Sequence, residues 1–189
     1  REERCRVAIL RAAAGCTVWS AGHDISELPN AGRDPLAWGD PLRVVVRAIQ
    51  EFPAPVIGLI EGGVWGGACE MAMACDMTVA TPNATFAITP AKLGIPYNLS
   101  GLLTLISTVP LTLAKELLFT AQPISAERAL LVGMINHVVP ADGIDAFVRA
   151  KAEQIAANAP LSIATMKEEI RLLAGAHAMA PNTFERIQG

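Results

Sequence analysis

Between an apolar run at Val56–Ile60 and a second one at Ala68–Cys75, the chain places four glycines in six residues, within Glu61-Gly62-Gly63-Val64-Trp65-Gly66-Gly67-Ala68-Cys69-Glu70. The first run, flanked by proline and glycine, reads as a fully buried strand, and the second as an almost wholly apolar helix. Glycine at this density is costly to order. A tight turn at residues 61–67 must therefore need its backbone free of side chains. A helix N-terminus presents unpaired N–H groups and a partial positive charge, and glycine lets an anionic group approach them closely. The pattern is neither a dinucleotide fingerprint nor a phosphate-binding P-loop, whose lysine and hydroxyl are missing. Close helix–strand packing is the structural alternative.

Glu70 is the odd residue of that helix, followed by Met71, Ala72, Met73 and Ala74. It is either a cap satisfied by backbone N–H groups or a site acid with a raised pKa. A second constellation is Ser20-Ala21-Gly22-His23-Asp24. Its glycine relaxes the backbone and can turn the next N–H outward. The alternative is an ordinary turn in which Asp24 caps a short helix, Ile25 to Leu28. His23 invites a general-base reading, but the sequence places no Ser or Cys partner for it. A third stretch, Phe86 to Tyr97, carries Thr89 and the single tyrosine of the chain. Tyr97, between Pro96 and Asn98, either orients a substrate through its hydroxyl or only packs.

The rest of the chain sets the frame. With 189 residues, 52% of them hydrophobic and 17% charged, it is long and apolar enough for one domain with a sizeable core. A net charge of -3 gives no basic footprint for nucleic acid, so any anion site must be local. No apolar run reaches the roughly 18 residues of a membrane span. Cys5, Cys16, Cys69 and Cys75 form no CxxC pair and lack histidines at metal spacing, so free thiols in a reducing cytosol, and no metal, are expected.

Strands are expected at Arg6–Leu10, Met77–Ala80, Thr85–Ile88 and Asn136–Val139. Helices are expected from Pro41 to Phe52, and at Thr112–Phe119, Ser125–Leu131, Ile144–Asn158 and Leu161–Leu173. Residues 12–37 read as a long functional loop. The alternation of strand, loop and helix predicts a layered α/β fold. The chain opens almost inside a strand and closes on Ile187-Gln188-Gly189 without a helix stop, so it reads as truncated at both ends.

At the three loops a resemblance becomes specific. SAGHDI, EGGVWGGACEMAMACD and FAITPAKLGIP resemble, in order and at family spacing, the two oxyanion segments and the third motif of the crotonase (enoyl-CoA hydratase/isomerase) superfamily. The similarity continues through ISAERALLVGMINHVV and the helices after it. It implies a ββα spiral core over residues 1–140 and an incomplete C-terminal helical region over 141–189. Within the superfamily, HDISELP, GRDPL, GVWGGACEM, LGIPYNLSG, KEEIRLL and FERIQG resemble the members that decarboxylate methylmalonyl-CoA.

Carried over by residue, the resemblance implies an oxyanion hole from the backbone N–H groups of His23 and Gly67. Tyr97 matches a tyrosine near the substrate carboxylate, and Glu70 the first of the two glutamates used by hydratases. Ala21, Gly22, Asp24, Ile25, Gly66 and Thr89 are expected to contact substrate or coenzyme A. The hydratases' second glutamate, just after the third motif's proline, is replaced by Ala91 and Lys92, which argues against two-carboxylate water addition. The implied activity is decarboxylation of a malonyl-type acyl-CoA through a thioester enolate. The alternatives are a hydratase or isomerase using one glutamate, and a non-catalytic acyl-CoA-binding relative. Coenzyme A enters as part of the substrate and no other cofactor is implied. A cytoplasmic homotrimer or dimer of trimers is the implied assembly.

Overall fold

The computed structural model describes residues 5–28 and 34–176. The chain runs β1 (Ala8–Arg11), β2 (Val18–Ser20), α1 (Pro41–Glu51), β3 (Val56–Ile60), β4 (Gly63–Trp65), α2 (Gly67–Ala74), β5 (Met77–Ala80) and β6 (Thr85–Ala87). It continues through α3 (Leu99–Thr108), α4 (Leu111–Thr120), β7 (Ile124–Ser125), α5 (Ala126–Leu131), β8 (His137–Val138), α6 (Ile144–Ala156) and α7 (Pro160–Ala176). Single 3-10 turns lie at Ile25–Glu27 and Pro90–Leu93. The FERIQG segment, and parts of HDISELP and GRDPL, lie outside the described residues.

From β1 to β6, successive strands alternate between two sheets, and β7 then stays in the sheet of β6. One sheet has the order β1-β3-β5-β8 and the other β2-β4-β6-β7. The first is parallel throughout, with Ala8 opposite Val56, Ile57 opposite Met77 and Val79 opposite His137. The second is parallel from β2 to β6 and closes on an antiparallel β7. Each of the first three turns of the chain thus lays a strand in one sheet, a strand in the other, then a helix, which is the expected ββα spiral.

Local chemistry explains the elements. Asp40 caps α1 by accepting from the Leu42 N–H at 2.9 Å, with Pro41 in the first turn. Leu42, Val46 and Ile49 bury one face. β3 is buried on both sides, as a parallel strand between helices must be. Its Ile57 and Leu59 pack with Val79, Ile144 and Val148, while Ile60 joins Val64, Phe86 and Leu105 in the main core. Each such side chain contributes roughly 1.5–3 kcal/mol by leaving water. Cys69 and Cys75 pack inside, and burial pushes both thiols up to about 12.

Two expectations change. The segment expected as a turn at 61–67 contains β4. Three residues starting with glycine give too short a pattern to show alternation, yet Val64 is fully buried. The loop expected over 12–37 contains β2 and the 3-10 turn. Helix α3 begins after Asn98, whose side chain caps it by accepting from the Gly101 N–H.

Candidate active site

β2, β4 and β6 are neighbours in one sheet and run parallel. Their C-terminal ends therefore deliver three loops to one place: residues 21–24 after β2, 66–67 after β4, and 89–97 after β6. A crevice outside the carboxyl ends of parallel strands is where α/β sheets generally hold ligands.

The first two loops touch. Gly22 has φ +89°, and a Cβ built on it would lie 2.7 Å from the Gly67 nitrogen and 2.7 Å from the Trp65 carbonyl oxygen. Only glycine tolerates both that backbone and that approach. Gly66 donates its N–H to the Ala87 carbonyl at 2.8 Å and turns with φ +58° into α2. The amides of Gly67 and His23 find no acceptor among the described residues.

The His23 side chain is engaged rather than free. Its Nε2 lies 2.9 Å from Asp40 Oδ2 and its Nδ1 2.8 Å from the Asp24 carbonyl. Desolvation works against its protonation. The Asp24 carbonyl, Asp40 and Glu27 outweigh it and raise the pKa. Asp24 itself caps the 3-10 turn by accepting from the Ser26 N–H and hydroxyl, and these bonds lower its pKa.

The loops border a solvent-connected cavity. Ala21, His23 and Ile25 line it from the first loop, Gly66 and Gly67 from the second, and Thr89 and Tyr97 from the third. Leucine side chains from Leu28, Leu36, Leu42 and Leu93 supply an apolar wall. Three of the expected residues are not in the lining. Gly22 packs behind it against the start of α2, Asp24 faces Ser26, and Glu70 lies beneath.

Glu70 is fully buried and accepts from Asn98 Nδ2 at 2.9 Å and Ser100 Oγ at 2.8 Å. These are side chains on the far side of the chain, so Glu70 does not act as a cap of its own helix. Burial pushes its pKa up, against the bonds from Asn98 and Ser100 and the field of Arg43. Tyr97 is 8% exposed, and its hydroxyl is buried without a partner among the described residues. Burial, with Cys69 and Glu70 nearby, holds its pKa well above 10, so it is a neutral hydrogen-bond donor.

Asp40, Asn98 and Ser100 join the site without having been singled out in the sequence. Asp40, before Pro41, and Asn98, before Leu99, carried a signal only as N-cap residues. A larger depression, lined by Lys167 and Arg171, contains none of the expected residues. Among the described residues no group of three or more His, Cys, Asp or Glu side chains could hold a metal, and no helix is long and apolar enough to cross a membrane.

A family model for enoyl-CoA hydratase/isomerase matches residues 1–184. The methylmalonyl-CoA decarboxylase of Escherichia coli K12 is 52% identical over 184 residues, covering 97% of this chain and 70% of that protein. The short-chain-enoyl-CoA hydratase of Clostridium acetobutylicum is 34% identical over 165 residues, covering 87% of this chain and 63% of that protein. A solved methylmalonyl-CoA decarboxylase complexed with 2S-carboxypropyl CoA superposes with a TM-score of 0.93 at 52% identity, over 97% of this chain and 70% of the other. The three loops, the ββα spiral and these similarities agree: the chain belongs to the enoyl-CoA hydratase/isomerase, or crotonase, family.

Proposed function

We propose that the chain decarboxylates methylmalonyl-CoA, a malonyl-type acyl-CoA, to propionyl-CoA through a thioester enolate. One observation carries this reading. The amides of His23 and Gly67, on two touching loops that line one cavity, are both without an acceptor among the described residues. The relative of highest identity described above is a decarboxylase of that substrate.

Loss of carbon dioxide next to a thioester needs an electron sink more than a base. The C–C bond to the carboxylate breaks, its electron pair enters the thioester, and negative charge gathers on the carbonyl oxygen. Two fixed N–H groups at that oxygen lower the barrier, and removing one such donor typically costs about 2.7–4 kcal/mol. The dipole of α2, starting at Gly67, adds to this field. Ala21, Ile25 and Gly66 shape the coenzyme A side of the cavity, with Gly22 and Asp24 holding the first loop behind it. Tyr97 and Thr89, from the third loop, are polar groups of the lining offered to the departing carboxylate. Held out of the thioester plane, that carboxylate leaves along an axis overlapping the carbonyl π system. The enolate then takes a proton at carbon.

Water addition is the weaker reading. Ala91 and Lys92, both exposed, stand where a second catalytic glutamate is needed, and Glu70 is turned away from the cavity. Coenzyme A belongs to the substrate, and no separate cofactor takes part. A cytoplasmic homotrimer or dimer of trimers completes the proposal, and light scattering on the protein measures that assembly.

The deciding experiment incubates the protein with malonyl-, methylmalonyl- and crotonyl-CoA and follows products by mass spectrometry. Propionyl-CoA and carbon dioxide from methylmalonyl-CoA support the proposal. Hydration of crotonyl-CoA alone, or thioester binding without turnover, overturns it.

A further inference from the structure

Glu70 is a buried ionisable group that the decarboxylation does not use. Its Oε2 accepts from Asn98 Nδ2 at 2.9 Å, and its Oε1 lies 2.8 Å from Ser100 Oγ. Ser100 Oγ is also 2.7 Å from Asn98 Oδ1, which accepts the Gly101 N–H at 2.8 Å. That backbone N–H fixes the Asn98 amide, because only its oxygen can face a donor. Ser100 therefore has one hydroxyl hydrogen and two acceptor oxygens, Glu70 Oε1 and Asn98 Oδ1.

If Glu70 were ionised, one of those two short oxygen–oxygen contacts would hold no hydrogen, beside a carboxylate that is itself fully buried while Ser100 is half-buried. A proton on Oε1 removes the conflict. Glu70 then donates to Ser100, Ser100 donates to Asn98 Oδ1, and Asn98 Nδ2 donates to Oε2. Each of these groups then has a partner.

We propose that Ser100 and Asn98 store Glu70 as a neutral carboxylic acid, and that both are positioning residues that keep negative charge away from the back of the substrate cavity. Gly101 brings the relevant groups together. A Cβ there would lie 2.7 Å from Tyr97 Cε1 and 3.0 Å from Glu70 Oε2. An ionised Glu70 would repel a carboxylate-bearing substrate, and a neutral one would not. Other charged or titratable neighbours do not reverse this. Arg43 on α1 favours the ionised form, its ion-pair partner Asp34 opposes it, and burial outweighs both. Cys69 and Tyr97 are themselves neutral.

The protonation state stands on the hydrogen-bond count alone; its catalytic purpose rests on the decarboxylase reading. Glu70→Gln reproduces the neutral acid, with its NH2 toward Ser100 and its oxygen toward Asn98. Melting temperatures of wild type and E70Q are compared from about pH 5 to about pH 8, above the usual carboxylate range. A raised native pKa means that the unfolded chain releases this proton first. Wild type therefore loses stability as pH rises toward the native pKa, and its deficit relative to E70Q widens. A gap that stays constant or narrows overturns the proposal.

Infrared difference spectra between wild type and E70Q give a second readout that does not depend on the variant's stability. The C=O stretch of an un-ionised acid at neutral pH supports the proposal, and carboxylate bands overturn it. The kcat/KM profile with methylmalonyl-CoA tests the positioning role. An alkaline limb present in wild type and absent in E70Q supports it, and identical limbs overturn it. If no CoA thioester is turned over, the functional reading fails, while the melting and infrared results still decide the protonation.

Discussion

His23 Nε2 and Asp40 Oδ2 meet at 2.9 Å, and the other His23 ring nitrogen faces the Asp24 carbonyl at 2.8 Å. Neither acceptor can donate, so both ring nitrogens are satisfied only when the imidazole carries two protons. The same Asp40 carboxylate caps α1 through the Leu42 N–H. One side chain thus fastens the first loop to the helix that borders the second.

Replacing Asp40 separates these roles. Asp40→Ala loses the cap, at about 0.5–2 kcal/mol, and the His23 partner as well. Asp40→Asn keeps a good cap and loses the charge and the acceptor that faces His23. The native pKa of His23 is raised, so its stabilisation is fully present below the ordinary histidine range and lost as pH rises through the raised value. Urea denaturation should show wild type leading D40N at about pH 6 and losing that lead by about pH 9. An unchanged margin would sink the assignment.

Gly22→Ala is expected to abolish turnover. Its Cβ would press on the Gly67 nitrogen and the Trp65 carbonyl at 2.7 Å each, which are backbone atoms that cannot swing aside. The left-handed backbone at φ +89° adds a penalty of order 1–3 kcal/mol. The loops must then part, with a loss of at least about 100-fold in kcat/KM if one amide donor is displaced. Steady-state kinetics with retained circular dichroism checks this.

At Gly67 the obstacle is softer. An added Cβ would meet Leu42 Cδ2 at 2.4 Å, the far end of a flexible side chain. Gly67→Ala should destabilise by about 1–3 kcal/mol through overpacking. In Leu42→Ala the same methyl fills part of the space opened. The double variant should therefore be more stable than the sum of the singles by about 0.5–3 kcal/mol. Chemical denaturation of all four proteins closes the cycle, and strict additivity would refute the contact.

Tyr97→Phe should split stability from activity. The hydroxyl has no partner among the described residues, so its removal leaves stability unchanged or slightly higher. A hydrogen bond to a charged substrate group is worth about 1.5–3 kcal/mol, which predicts a fall of about 10- to 100-fold in kcat/KM for methylmalonyl-CoA. Wild-type kinetics in Y97F would remove the phenol from the mechanism.

The elements that could be read from sequence were those with a local code. Asp40-Pro41 and the spacing of Leu42, Val46 and Ile49 announced α1, and the run Val56–Ile60 matched β3 residue for residue. β4 stayed hidden because a strand of three residues, one of them glycine, carries no periodicity.

The three loops of the site were visible because glycine, proline and a lone tyrosine mark them. The groups that set their electrostatics were not. Glu70 reaches Asn98 and Ser100 across 28 and 30 residues, and His23 reaches Asp40 across 17. Contacts at such separations exist only once the sheet has brought the loops together.

Because the strands from β1 to β6 fall alternately in two sheets, the connections on the cavity side hang from ladders whose register is settled elsewhere, as in Ala8 opposite Val56 and Val18 opposite Gly63. The loop 89–97, which follows β6, can therefore change in length without dislodging either pairing. The space for an acyl chain can widen or tighten on that side while the electron-accepting corner is inherited intact.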